Sequence, residues 1–162
     1  MTEATPRPRS HIAAIPYALV GLVLRLTMAR VFFFSGQTMI AGPSIPITGD
    51  FSVILPAQIK DTTFQLFETQ YAAVPLSPTT AAVLFTYAEF VLPICLVLGF
   101  ATRVAALGLL AMTVLLQLYV MPTMWWPAHV YWIAILLVLV TVGPGAVSID
   151  ALIRVLYRRD QV

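Results

Sequence analysis

Four stretches of this chain are almost wholly apolar and close to twenty residues long. That pattern leaves few folds open to it. They run over about 16–40, 79–98, 103–121 and 125–142. A helix of about twenty residues crosses a ~30 Å hydrocarbon core, and in lipid a backbone must satisfy its own hydrogen bonds, as a helix does. Composition agrees: 60% of residues are hydrophobic and only 10% are charged, a balance outside the soluble range. The expected fold is all-α, an integral membrane four-helix bundle. Residues 1–15 are expected to form a disordered cytoplasmic N-terminus, 16–146 the transmembrane domain, and 147–162 an amphipathic cytoplasmic tail.

The basic residues set the expected orientation. Arg7 and Arg9 precede the first span, Arg103 lies in the tight second connection, and Arg154, Arg158 and Arg159 follow the fourth. The connections on the other side carry only Lys60. Cytoplasmic loops are the ones enriched in Lys and Arg, so both termini are expected inside, in a bacterial-type inner membrane. The N-terminal segment has a basic start but no small-x-small cleavage site, so it reads as a retained anchor. No basic patch interleaved with aromatics is present, which excludes nucleic acid as a partner. The lone Cys95 sits mid-span and reads as a small hydrophobe.

Two connections carry more than a turn. In the long first one, Phe64, Phe67, Tyr71 and Val74 recur at helical spacing after Asp61-Thr62, a candidate cap. A short amphipathic helix is expected there, resting on the outer face or closing over a cavity. After Gly143-Pro144-Gly145, the apolar residues Ile149, Leu152, Ile153 and Leu156 alternate with Arg154, Arg158 and Arg159. That suits an interfacial helix on an anionic leaflet. Trp125, Trp126, Tyr131 and Trp132 read as an interfacial aromatic belt.

The charges inside the spans are the candidate functional residues. A charge at mid-bilayer costs roughly 2.5–3.5 kcal/mol on insertion scales, so it implies a partner or a purpose. Arg30 and Glu89 fall near the middle of antiparallel first and second spans, and an Arg30–Glu89 ion pair is expected. It either fixes helix register or forms part of a polar pocket. Gln37, seven residues beyond Arg30, extends that face past Ser35-Gly36, and Gln117 on the third span is expected to join it. Arg25, rotated away, is expected to meet Arg103 and Asp150 at the cytoplasmic end as a structural clamp. Met121, Met124 and His129 crowd the outer end and are weak candidates for a soft metal such as Cu(I). No phosphate loop, nucleophile elbow or two-histidine spacing appears, and no intrinsic cofactor is evident.

Several of these residues together resemble the DoxX family. They are Phe34-Ser35-Gly36, Leu66-Phe67-Glu68 with Tyr71 and Val74-Pro75-Leu76, Ala88-Glu89 with Leu92-Pro93, Leu96-Val97-Leu98-Gly99 followed by Ala101-Thr102-Arg103, and Gly143-Pro144-Gly145 with Ser148-Ile149-Asp150. The resemblance runs from about Leu24 onward and implies a small four-helix inner-membrane protein. It further implies a quinone-interacting or accessory subunit of a membrane redox complex linked to sulfur, thiol or oxidative stress. Quinone is then the candidate cofactor, and a redox protein or a second copy the partner. The alternative it leaves open is a non-enzymatic assembly or stress-response factor for copper or thiol homeostasis. One departure stands out: relatives often carry a lysine soon after the glycine of the first span, where this chain has Thr38-Met39.

Overall fold

The structure is a computed structural model and describes residues 14–49 and 51–159. Most of the expected disordered start, with Arg7 and Arg9, lies outside the described residues, whereas Ala14 and Ile15 already belong to the first helix. That helix, α1, runs Ala14–Met39. Four short strands follow: β1 (Ile40–Ala41), β2 (Ser44–Thr48), β3 (Phe51–Ile54) and β4 (Gln58–Ile59). Then come α2 (Asp61–Thr69), α3 (Pro78–Leu98) and α4 (Thr102–Leu115), the last continued by a wider π-helical turn, Leu116–Val120. A 3₁₀ turn (Pro122–Met124) and a second π turn (Trp125–His129) lead into α5 (Val130–Thr141), and α6 (Ile149–Arg159) ends the described chain.

Four helices are long and apolar enough to cross a bilayer: Tyr17–Met39, Pro78–Leu98, Thr102–Val120 and Pro122–Thr141. Their ends follow local chemistry. Ser77 caps α3 by accepting the Thr80 N–H at 3.3 Å, with Pro78 in the first turn. Gly99 closes α3 in the left-handed conformation, φ 67°, which a residue without Cβ adopts at no steric penalty.

In the bundle α3 packs between α1 and α4, and α5 packs on α4 and closes back onto α1. Phe32, Phe85, Leu96, Leu109, Leu136 and Leu139 fill the interior. Ala81, Ala82, Ala105 and Ala106 are buried beside them, small side chains that let helices approach closely where lipid offers no hydrophobic drive.

The outer connection is more structured than its sequence suggests. The expected helix is α2, and Phe67, Tyr71 and Val74 are buried beneath and just after it. Phe67 stacks on Tyr71 and meets Phe85 edge-on, with centroids at 4.6 and 5.5 Å, so α2 covers the end of the bundle where α1 ends and α3 begins, the outer end in the expected orientation. Its cap position is Lys60, which makes no side-chain cap, rather than Asp61-Thr62. Thr63 instead donates its hydroxyl to the Met39 carbonyl at 2.9 Å and ties α2 to the end of α1. An unexpected antiparallel hairpin pairs β2 with β3, and β1 pairs with β4.

Candidate functional site

The end of the bundle from which α6 starts, taken as the inner end in the orientation expected from the arginines, is held by side chains that cap helices. Arg25 is 1% exposed and donates to the Leu96 carbonyl, at 3.4 Å, and to the Val147 carbonyl. Arg103 donates to the Thr141 carbonyl at 3.3 Å, and the Tyr17 hydroxyl donates to the Gly143 carbonyl at 2.8 Å. Asp150 does the opposite work, accepting the Ala101 N–H at 2.8 Å and the Thr102 N–H at 3.0 Å. Two cations therefore sit at the C-terminal ends of α3 and α5, and an anion sits at the N-terminus of α4. That is the arrangement helix dipoles favour. Arg25, Arg103 and Asp150 do gather at one end as expected, but no Arg–Asp ion pair forms among them; each charge faces backbone instead. Asp150 also holds Ala101 in its left-handed conformation, φ 45°, which an L side chain otherwise resists.

Midway up the bundle the polar groups are not all partnered. Glu89 is 3% exposed and its Oε2 has no hydrogen-bond partner among the described residues. The Ser35 hydroxyl faces its carboxyl group across the α1–α3 contact. Gly36 allows that contact: a Cβ there would stand 3.0 Å from the Glu89 carbonyl oxygen. Pro93 lies one turn further along α3 and has no N–H, so the Glu89 carbonyl lacks its usual helical donor. Above, Thr86 points its hydroxyl at the Met39 sulfur, 3.6 Å away. Tyr71, just after α2, lies within electrostatic reach of Glu89. Burial, and secondarily the Glu89 charge, push the Tyr71 phenol above its ordinary range, so it stays a neutral donor.

Arg30 does not enter this centre, and the expected Arg30–Glu89 ion pair is not formed. Arg30 is exposed on the outside of the bundle, and its guanidinium lies over the Phe34 ring, 5.1 Å from the centroid. The cause is azimuth. Gly36 and Ser35 face α3, and residues five or six positions away on α1 are turned by more than 100° from them. Arg30 instead borders a groove between α1 and α3, about 350 Å³ in volume, with Leu26, Ala29, Phe33, Phe34, Pro93, Ile94, Val97 and Leu98. The wall is hydrocarbon and aromatic, Arg30 is its one cation, and Pro93 connects it to the Glu89 turn.

A family model for DoxX matches residues 20–122 of the 162. The chain belongs to the DoxX family. Comparison with curated proteins and with solved structures gave no match. The DoxX match takes in Arg25, Ser35, Gly36, Glu89, Pro93 and Arg103, and stops before His129 and Asp150.

Two other expected members of the polar centre lie elsewhere in this DoxX protein. Gln37 clasps the outer hairpin, accepting the Ile54 N–H at 2.6 Å and donating to the Ile54 carbonyl at 3.2 Å. Gln117 joins the outer ends of α4 and α5, donating to the Pro122 carbonyl at 2.8 Å and meeting His129 Nδ1 at 2.7 Å. His129 is buried, Met121 half-buried and Met124 exposed. One imidazole nitrogen of the soft-metal trio is therefore already engaged. Among the described residues no group of three His, Cys, Asp or Glu side chains gathers. Trp132, expected in the belt, turns inward against Phe32 and His129, with centroids at 5.7 and 5.3 Å. Trp125, Trp126 and Tyr131 remain exposed.

Sequence reasoning found Glu89 but missed two groups that shape its surroundings. Tyr71 reads as packing because its spacing matches Phe64 and Phe67, and only the fold of the outer connection brings its phenol toward Glu89. Pro93 was available as a signal, since a proline four residues after an intramembrane acid strips that residue's carbonyl of its donor.

Proposed function

We propose that this DoxX protein is an accessory subunit of a membrane redox complex, and that the α1–α3 groove takes an isoprenoid quinone from the bilayer. The observation that carries the reading is a single cation, Arg30, on an otherwise apolar groove beside a buried acid with an unpartnered oxygen. The residues suit such a molecule. Leu26, Ile94, Val97 and Leu98 match an isoprenoid tail, and the aromatic Phe33 suits a flat head group. The Arg30 guanidinium offers donors to a ring carbonyl.

A bound quinone supplies two-electron, two-proton chemistry that no side chain here provides. The chain's own work is to bind, orient and exchange a proton. Arg30 fixes the head group at the rim. Glu89, one turn from Pro93, holds a proton in a dry setting, with Ser35 beside it and the neutral Tyr71 phenol toward the outer face. Electrons come from a partner protein. The arginines at 103, 154, 158 and 159, with Arg7 and Arg9, favour an inner-membrane placement with both ends of the bundle's chain in the cytoplasm.

The test is the quinone content of protein purified in mild detergent. Wild type is expected to carry extractable quinone, and Ile94→Trp, which fills the groove without reaching Glu89, is expected to lose it. Wild type without quinone, or Ile94→Trp with an unchanged content, overturns the reading.

A further inference from the structure

A second, shallow cleft lies at the inner end of the bundle and adjoins the α1–α3 groove at Val97 and Leu98. It is about 390 Å³ and is lined by Leu22 and Arg25 of α1, Val97 and Leu98 of α3, Val147 and Ser148 before α6, and Ile149 and Leu152 in its first turn. Its walls are apolar, and Val97, Leu98, Val147 and Leu152 are each about half exposed. Its floor is a buried guanidinium.

Arg25 is an unusual floor for such a cleft. Two of its nitrogens bond backbone carbonyls, but Nε is buried with no partner among the described residues. No carboxylate among the described residues pairs with it directly: Asp150 spends both oxygens on the Ala101 and Thr102 amides and acts on Arg25 only through space. A positive charge is thus held at the level where the spans end, in contact with carbonyl dipoles and without a contacting counter-ion. Burial of a cation without a counter-ion is unfavourable in a low-dielectric setting, so an anion arriving there is strongly attracted.

The helix that roofs the cleft adds to that attraction. Seven residues separate α6 from the end of the last span, which keeps it at the membrane surface. It exposes Leu152, Val155, Leu156 and Tyr157, an apolar stripe with nothing from the bundle over it. Arg154 is exposed on the same helix, and the sequence adds Arg158 and Arg159 in its last turn. A basic amphipathic helix of this kind lies in the interface of an anionic leaflet.

We propose that the cleft between α6 and the inner ends of α1 and α3 binds one anionic phospholipid of that leaflet. Its phosphate is drawn over Arg25, and one acyl chain lies along Leu22, Ile149 and Leu152. The lipid brings a negative charge next to the Arg25 guanidinium, and it pins α6 to the bundle. The cleft borders the α1–α3 groove at Val97 and Leu98, while Arg25 and the α6 residues belong to the cleft alone.

The experiment measures the melting midpoint of the detergent-purified protein against added phosphatidylglycerol or phosphatidylcholine, with glycerol phosphate as a head-group control. Phosphatidylglycerol is expected to stabilise, with an apparent affinity about fivefold or more above that for phosphatidylcholine. Glycerol phosphate is expected to have no effect. Leu152→Trp, which fills the cleft from an exposed position, is expected to melt like wild type in detergent alone and to lose the phosphatidylglycerol shift. Because Arg25 also caps α3, its replacement risks unfolding, so the second variant is Arg154→Gln. It is expected to weaken the shift while retaining it, since Arg154 acts at a distance. Equal stabilisation by the two lipids, an equal effect of glycerol phosphate, or an unchanged phosphatidylglycerol shift in Leu152→Trp overturns the site.

Discussion

The α6 end of the bundle and its middle handle buried charge in opposite ways. At the α6 end, Arg25, Arg103 and Asp150 each meet backbone groups that helix termini leave without partners. Their charges complement the helix dipoles, and removing any one strands a carbonyl or an amide. In the middle, Glu89 keeps an oxygen without a partner among the described residues, and its carbonyl has been stripped of a helical donor by Pro93. The first arrangement holds helices in place. The second leaves a buried acid whose hydrogen-bonding capacity is only partly used, which is the premise of the proposed proton exchange.

The sharpest way to break this contrast is at Arg25. Arg25→Ala removes two charge-assisted bonds and a buried side chain together, and is expected to destabilise the protein by about 3 kcal/mol or more. Thermal melting in mild detergent reads this, and a midpoint near wild type would deny Arg25 its capping role. Gly36→Val comes next. Its Cβ would press on the Glu89 backbone at 3.0 Å, forcing α1 and α3 apart at about 1–3 kcal/mol. The same melt should show it, whereas a Val at this position without effect would mean that the close approach is not needed. Asp150→Ala is expected to cost about 1–2 kcal/mol, the usual worth of a helix cap, and Asp150→Asn should recover part of it. The smallest expected effect is also the most discriminating. In a double-mutant cycle of Arg30→Ala and Glu89→Ala, the two changes should add to within about 0.5 kcal/mol. A larger coupling would restore the ion pair that the structure lacks.

Much of this layout is legible in the sequence, and what is not has a physical reason. Hydropathy runs mark the spans because the bilayer demands length and apolarity together, and an acid in such a run is conspicuous. Residue counting along antiparallel helices gives depth only coarsely: Glu89 lies level with Ser35 and Gly36, more than a helical turn beyond Arg30. Counting does not give azimuth, which depends on which neighbour each face meets; hence Arg30 lies outside and Ser35 inside. The Gln37–Ile54 clasp is equally hidden. It joins a helix end to a hairpin whose strands are short, with Pro46 inside β2, so the usual alternation of a strand is too brief to read. The capping role of Asp150 was half visible: its place at the same end of the bundle as Arg25 and Arg103 was expected, and its partner, the α4 amides, followed only from the fold.

The groove between α1 and α3 is where the two kinds of region meet, since Arg30 lines it and Glu89 lies behind it. The most direct test is photolabelling of the membrane-embedded protein with a photoreactive isoprenoid quinone, followed by peptide mapping. Label concentrated in residues 26–34 and 93–98, and displaced by unlabelled quinone, is the expected result. Label spread evenly over the lipid-facing surface of all four spans, with no competition, would contradict it.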